Sequence, residues 1–204
     1  HPYGYTTFWY DLTGKIHAGE NILAAQVKTE GQNSRWYSGS GIIRHVWLQM
    51  LEPVHPVQWG TQISCTNVTD ASAHIHTRTA ITNTSEQKQT AQLVSAILDH
   101  HGREIVRWKS DLQIMPGQVY IDEQIHAVQH PLLWSVENPN LYTLQTEIYQ
   151  QQHLLQKQQS AFGIRSIQFN AGTGFLLNGK SMKLKGGCYH NDNGPLGAVS
   201  YDRA

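Results

Sequence analysis

Between Val57 and Gln159 the sequence falls into seven short runs in which apolar and polar residues tend to alternate, each closed by turn chemistry. No other feature constrains the chain as tightly, because a period of two puts one face in a core only when the residues lie in a sheet. The runs cover about 57–64, 73–83, 90–98, 103–109, 118–128, 141–150 and 153–161. In the second, Ala73, Ile75, Thr77, Thr79 and Ile81 share one face, with His74, His76 and Arg78 on the other. In the fifth, Val119, Ile121 and Ile125 stand against Tyr120, Asp122 and Gln124. Asn83-Thr84-Ser85, His101-Gly102, Met115-Pro116-Gly117 and Glu137-Asn138-Pro139-Asn140 separate the runs with residues that favour turns. No segment keeps apolar residues at i, i+3, i+4 and i+7 through three helical turns. Gln150–Gln159 is rich in the helix formers Gln and Leu, but its place between a strand and Phe162-Gly163-Ile164-Arg165 assigns it as the last strand.

Seven strands in roughly a hundred residues predict an all-β chain built on an immunoglobulin-like β-sandwich without a disulfide. Two further β-rich runs precede it, Asn21–Thr29 and Ile42–Met50, around a glycine-punctuated loop that carries Arg35, Trp36 and Tyr37. Glu52-Pro53-Val54-His55-Pro56 then forbids regular pairing, since proline has no N–H to donate. After Phe162 the pattern becomes a hairpin, Gly174 to Lys185, with Asn178-Gly179 as a type I′ turn. A polar, glycine-rich stretch, Gly186 to Gly194, follows it. These breaks divide the chain at 1–51, 52–161 and 162–204.

Fifteen Lys and Arg balance fifteen Asp and Glu, which removes the basic footprint of a nucleic-acid binder. Charged residues are only 15% of the chain, so its polar surface is built largely from twenty glutamines and twelve histidines. Hydrophobic residues at 39% supply a core, while no apolar run reaches the length of a membrane helix. Two cysteines, Cys65 and Cys188, cannot build a disulfide framework. They are expected to be free thiols in a reducing, cytoplasmic, bacterial-type setting. The first residues, His1-Pro2-Tyr3-Gly4, contain neither an initiator Met nor a leader, and the chain is expected to begin inside a longer polypeptide.

Three separated stretches together resemble the family 2 glycoside hydrolases. The first runs from Asp11-Leu12-Thr13 through Gly19-Glu20-Asn21-Ile22-Leu23 to Ser34-Arg35-Trp36-Tyr37-Ser38-Gly39-Ser40-Gly41-Ile42-Ile43-Arg44, similar to the end of that family's sugar-binding jelly roll. The second is Trp134-Ser135-Val136-Glu137-Asn138-Pro139-Asn140-Leu141-Tyr142, similar to the W-x-x-x-x-P-x-L-Y segment of its immunoglobulin-like domain. The third joins Phe162-Gly163-Ile164-Arg165, Gly174 to Gly179, Leu184-Lys185-Gly186 and His190, and looks like the start of the catalytic (β/α)8 barrel. The resemblance therefore implies a partial jelly roll over 1–51, the immunoglobulin-like domain over 52–161 and the opening of the barrel over 162–204. Arg35-Trp36-Tyr37 with His190-Asn191-Asp192-Asn193-Gly194-Pro195-Leu196-Gly197 is similar to the family's β-galactosidases more than to its β-glucuronidases or β-mannosidases. Asn191 departs from that pattern, standing where a second His is common.

Retaining glycoside hydrolysis needs two carboxyl groups about 5–5.5 Å apart. In the family both are glutamates deeper in the barrel, the acid/base following an Asn, and no Asn-Glu dipeptide occurs here. Glu86, Glu104, Glu123 and Glu147 read as solvated carboxylates on strands or turns. The catalytic pair is expected outside this chain, with no cofactor and no metal. Three residues are candidates for contact with a β-galactoside or related sugar. Arg35 carries a rigid fork that can grip vicinal hydroxyls, or can instead stack on Trp36 to close its own loop. His190 and Asp192 fall just after the first barrel strand, where barrel enzymes build their sites, or else form a turn. His74 with His76, and His100 with His101, lack further ligands at metal spacing. Tyr3, Tyr5, Phe8, Trp9 and Tyr10 offer a sugar-stacking platform but serve equally as packing for a jelly roll. The competing reading is a stand-alone carbohydrate-binding or adhesion sandwich. A homo-oligomeric parent is compatible with the sequence.

Overall fold

The computed structural model describes residues 6–28, 30, 41–42 and 45–187. By compactness the chain divides into two units, residues 1–48 with 187–204, and residues 49–186. The described part of the first unit is turn and extended coil. The Leu12 carbonyl accepts from the Lys15 N–H at 2.9 Å, and Asn21 folds back on His17, accepting from its N–H and donating to its carbonyl. The runs at 21–29 and 42–50, expected as strands, hold no strand among their described residues. A strand exists by pairing, and no described residue forms a ladder with them; Ile22, Leu23 and Trp47 stay exposed.

The second unit contains all seven expected strands: β1 Val54–Thr66, β2 Ser72–Asn83, β3 Gln89–Leu98, β4 Glu104–Ile114, β5 Val119–Gln129, β6 Tyr142–Gln150 and β7 His153–Phe162. Every pairing is antiparallel, in a three-stranded sheet of order β1-β2-β5 and a four-stranded sheet of order β4-β3-β6-β7. No helix occurs among the described residues. Strand β4 runs five residues past its expected end, because Ser110 and Asp111 hide a ladder that continues to the Gln89–Ile114 pair. Strand β1 begins inside the proline-rich break and includes Pro56. It is an edge strand, where a missing N–H is tolerated. Its register jumps between Pro56 and Thr61, with Trp59 at φ 55° absorbing the bulge.

Inward residues of both sheets meet in two apolar clusters. One gathers Ala73, Ile75, Ile97, Val128, Tyr142, Leu144 and Ile164. The other gathers Val54, Ile81, Leu93, Leu112, Ile114 and Ile148. The β2 alternation is as the sequence gives it, but β5 turns its polar side inward. Asp122 is 4% exposed, whereas Val119, Ile121 and Ile125 are 51, 36 and 61% exposed.

Three short strands extend the unit: β8 Ile167–Asn170, β9 Gly174–Leu177 and β10 Lys180–Ser181, paired in the order β10-β9-β8. The β9–β10 turn is the expected one, since Asn178 and Gly179 both take positive φ, 50° and 74°. Strand β8 was not foreseen; it forms by pairing Ile167 with Leu177 through Asn170 with Gly174.

Candidate functional site

Arg35, His190 and Asp192, the candidate sugar contacts, lie outside the described residues, as do Tyr3, Tyr5, Trp36 and Cys188. Phe8, Trp9 and Tyr10 are exposed, with the Phe8 and Tyr10 rings edge to face at 5.8 Å. Cys65 is a free thiol, and burial against the first apolar cluster pushes its pKa up. The histidine pairs are engaged locally: His76 Nε2 lies 2.7 Å from Thr66 Oγ1, and His74 Nδ1 lies 3.2 Å from Asn67 Nδ2. The His100 and His101 rings touch at 3.8 Å between centroids, tilted by 42°. Among the described residues no group of three or more His, Cys, Asp or Glu is placed to hold a metal ion.

Described residues of the second and third stretches that carry the family resemblance meet at the joint between the four-stranded sheet and the β8–β10 hairpin. Trp134 bridges to Pro139 across a tight loop, closed by the Ser135 N–H on the Asn138 carbonyl at 2.9 Å. The Trp134 N–H donates to the Ile164 carbonyl at 2.8 Å. Gly163 passes so close to the indole that an added Cβ would stand 2.7 Å from Trp134 Cβ. The Arg165 guanidinium covers the same indole at 4.5 Å from the ring centroid, a cation–π contact.

Asn178 ties the hairpin to this arrangement. Its Oδ1 accepts from the Ser166 N–H at 2.9 Å, and its Nδ2 donates to the Trp134 carbonyl at 3.0 Å, across 44 positions of chain. At the start of β6, Tyr142 Oη accepts from the Leu132 N–H at 2.9 Å, pinning the segment that leads into Trp134. The sequence identifies Asn178 only as a turn residue. An Asp would serve the turn as well, and the signal for the amide is the distant need for a donor at Trp134. These polar groups satisfy one another, so the joint is built to hold geometry.

Two surface depressions occur among the described residues. One, of about 580 Å³, lies over β3, β4 and β6 and is lined by Gln92, Arg107, Lys109, Asp111, Tyr149 and neighbours. Asp111 is its single carboxylate, and it already accepts from Gln92 Nε2 at 2.9 Å. Glu147, on the same strand as Tyr149, is held by Gln145 Nε2 at 3.0 Å, Tyr149 Oη at 3.0 Å and Lys157 Nζ at 3.3 Å. Its bond to the Tyr149 hydroxyl raises the phenol's pKa. The other depression, about 520 Å³, has Asp99 as its single carboxylate. Four hydrogen bonds from His101 and Arg103 encircle Asp99. Neither depression brings together the two carboxyl groups that glycoside hydrolysis requires.

The family profile described as Glycosyl hydrolases family 2 matches residues 60–165. Over its whole length the chain is 37% identical to the beta-galactosidase BoGH2A of Bacteroides ovatus, covering 24% of that protein. It is 30% identical to a putative beta-glucuronidase of Formosa agariphila, over 97% of this chain and 18% of that one. The crystal structure of a glycosyl hydrolase family 2 member from Bacteroides cellulosilyticus superimposes with a TM-score of 0.79 at 38% identity, covering 85% of this chain and 24% of that chain. The chain thus spans about a quarter or less of the length of the curated relatives it matches.

Proposed function

We propose, for a chain that belongs to the glycosyl hydrolases family 2, that it is a non-catalytic part of a retaining, β-galactosidase-like enzyme of carbohydrate metabolism. The observation that carries this reading is the 37% identity to a beta-galactosidase along the whole chain, with a quarter of that protein covered. The sequence supplies its complement: no Asn-Glu dipeptide is present. On this reading the catalytic glutamates belong to the remainder of the parent. One protonates the glycosidic oxygen while the other attacks the anomeric carbon; water then releases the sugar from the glycosyl-enzyme.

The chain's own task is positional. Residues 52–161 act as an immunoglobulin-like spacer, 1–51 as the end of a sugar-binding jelly roll and 162–204 as the opening of a (β/α)8 barrel. Within the spacer the order β1-β2-β5 against β4-β3-β6-β7, with Tyr142 bonded back to Leu132, agrees with a sandwich of that class. The joint at Trp134, Gly163, Arg165 and Asn178 fixes the hairpin that leads toward the barrel. Arg35, His190 and Asp192 are the sugar contacts of this reading. Asp192 accepts hydroxyl hydrogen bonds, His190 stabilises charge near the glycosidic centre, and Arg35 grips vicinal hydroxyls. The parent is placed in the cytoplasm of a bacterial-type cell, and a homo-oligomer suits it.

The preference for galactosides rests on Arg35-Trp36-Tyr37 and on the His190-to-Gly197 stretch. A panel of aryl β-galactoside, β-glucuronide and β-mannoside, assayed with the parent polypeptide, tests it. The expected result is a kcat/KM for the galactoside at least tenfold above the others. A parent that prefers the glucuronide would overturn the substrate assignment and leave the family membership standing.

A further inference from the structure

Six strands of the 49–186 unit change character between the two apolar clusters. On β1, Thr61 stands between Val54 and Ile63; on β2, Thr77 and Thr79 stand between Ile75 and Ile81. On β3, Ser95 separates Leu93 from Ile97. On β4, Trp108 and Ser110 separate Val106 from Leu112. On β5, Asp122, Gln124 and His126 separate Tyr120 from Val128, and on β6, Thr146 separates Leu144 from Ile148. The residues on one side belong to the first apolar cluster or pack on it, and those on the other side to the second. The register pairs several of these positions across each sheet. Thr61 opposes Thr79, which opposes Asp122, and Trp108 opposes Ser95, which opposes Thr146. A polar belt therefore crosses the interior between two oily halves.

Part of the belt is satisfied from within. Asp122 accepts from Ser110 Oγ at 2.5 Å and lies 3.4 Å from both Trp108 Nε1 and Gln124 Nε2. The His126 ring lies against the Trp108 indole at 4.2 Å. Four buried side-chain atoms have no partner among the described residues: Thr61 Oγ1, Thr77 Oγ1, Ser95 Oγ and His126 Nε2. All four sit on inward positions of the belt, contributed by both sheets. Four unpaired buried polar groups together would consume a large share of the marginal stability of a domain. They lie between the two clusters at successive register positions of β1, β2 and β5, and on β3, which suits several small ligands rather than one large one.

We propose that the interior of this unit binds ordered water, held at the polar belt by Thr61, Thr77, Ser95 and His126 and bridging the two sheets. The chemistry selects water over the alternatives. Hydroxyls and a neutral imidazole both donate and accept, as water does, and a buried water makes about three such bonds. A cation is disfavoured, because the belt's one carboxylate already has both oxygens engaged by Ser110, Trp108 and Gln124. A folded unit of this size is expected to hold about five buried waters. Among the described residues, the buried side-chain polar atoms without a partner lie in this band.

The test uses the full chain and two readouts. A crystal structure at about 1.6 Å should show solvent density within about 2.6–3.2 Å of at least two of the four atoms. Thr77→Val and Ser95→Ala each keep the shape while removing a hydroxyl, so the sign of the melting shift reports the bond. A hydroxyl bound to water gives a fall of about 2–6 °C on removal, whereas an unpaired one gives a rise. If Thr77→Val fails to fold, Ser95→Ala carries the same sign test. Empty density at the belt, or a raised melting temperature in the variants that fold, overturns the proposal.

Discussion

Gly163→Ala probes the joint at its tightest point. The new methyl would stand 2.7, 2.8 and 2.9 Å from Trp134 Cβ, Cγ and Cδ1, where carbon atoms prefer about 3.5–4.0 Å. The indole would have to retreat by roughly 1 Å. It is not free to do so: the Trp134 N–H is held by the Ile164 carbonyl at 2.8 Å, its carbonyl by Asn178 at 3.0 Å and its ring by Arg165. Overpacking of this kind costs about 1–3 kcal/mol, and the pinned indole puts the substitution at the upper end. Loss of freedom in the unfolded chain returns about 0.4–1 kcal/mol when Gly becomes Ala. The net destabilisation is about 2 kcal/mol, or roughly 6–8 °C of melting temperature for a unit of this size. Thermal denaturation followed by circular dichroism measures it. The same substitution in a Trp134→Gly background should cost less than half as much, because all three clashing atoms are then gone. A melting temperature within about 2 °C of wild type, or an equal penalty in both backgrounds, would refute the packing argument.

Tyr142→Phe removes the acceptor for the Leu132 N–H and should cost about 1 kcal/mol in a urea titration, without a change of m-value. Burial holds the His126 pKa below its usual value of 6.5, and the Asp122 carboxylate offsets this only in part. The unfolded chain therefore takes up the proton first as pH falls. Stability is whole above about pH 6.5 and declines from there down to the depressed folded value; urea midpoints between pH 7.5 and 5.5 should show this, and His126→Phe should flatten it. Partial desolvation raises the Asp99 pKa, but hydrogen bonds from the Arg103 N–H, the Arg103 guanidinium and the His101 N–H outweigh it and hold the group at about 2. Its contribution is present above about pH 3.8 and is lost as pH falls toward 2. In the parent enzyme, Asp192→Ala should lower kcat/KM for the preferred glycoside by about ten- to a hundredfold; unchanged kcat/KM would favour the turn-forming reading of Asp192.

The seven sandwich strands were legible because each carries its own period and its own turn. Asn178-Gly179 announced a hairpin for the same reason. What could not be read was whatever depends on a partner distant in sequence. Strand β8 has an unremarkable Ile-Gln-Phe-Asn sequence and exists because β9 lies beside it. The apolar side of β5 faces outward, since the belt recruits Asp122 inward to Ser110 and Trp108. Asn21–Thr29 and Ile42–Met50 have strand composition but no ladder among the described residues. The family was legible through Trp134, Pro139, Tyr142, Phe162, Gly163 and Arg165, because the joint demands those residues together. Their work is structural, so they identify the scaffold without identifying the chemistry. The sugar contacts proposed at Arg35, His190 and Asp192 rest on motif alone.

The central claim is that this chain positions a catalytic apparatus it does not contain. The most direct measurement is the turnover of aryl β-galactoside by the purified 204-residue chain and by the parent polypeptide under identical conditions. The account predicts hydrolysis by the parent and none by the chain above the uncatalysed background. Turnover by the chain alone, abolished by replacing Glu86, Glu104, Glu123 or Glu147 with Gln, would contradict it.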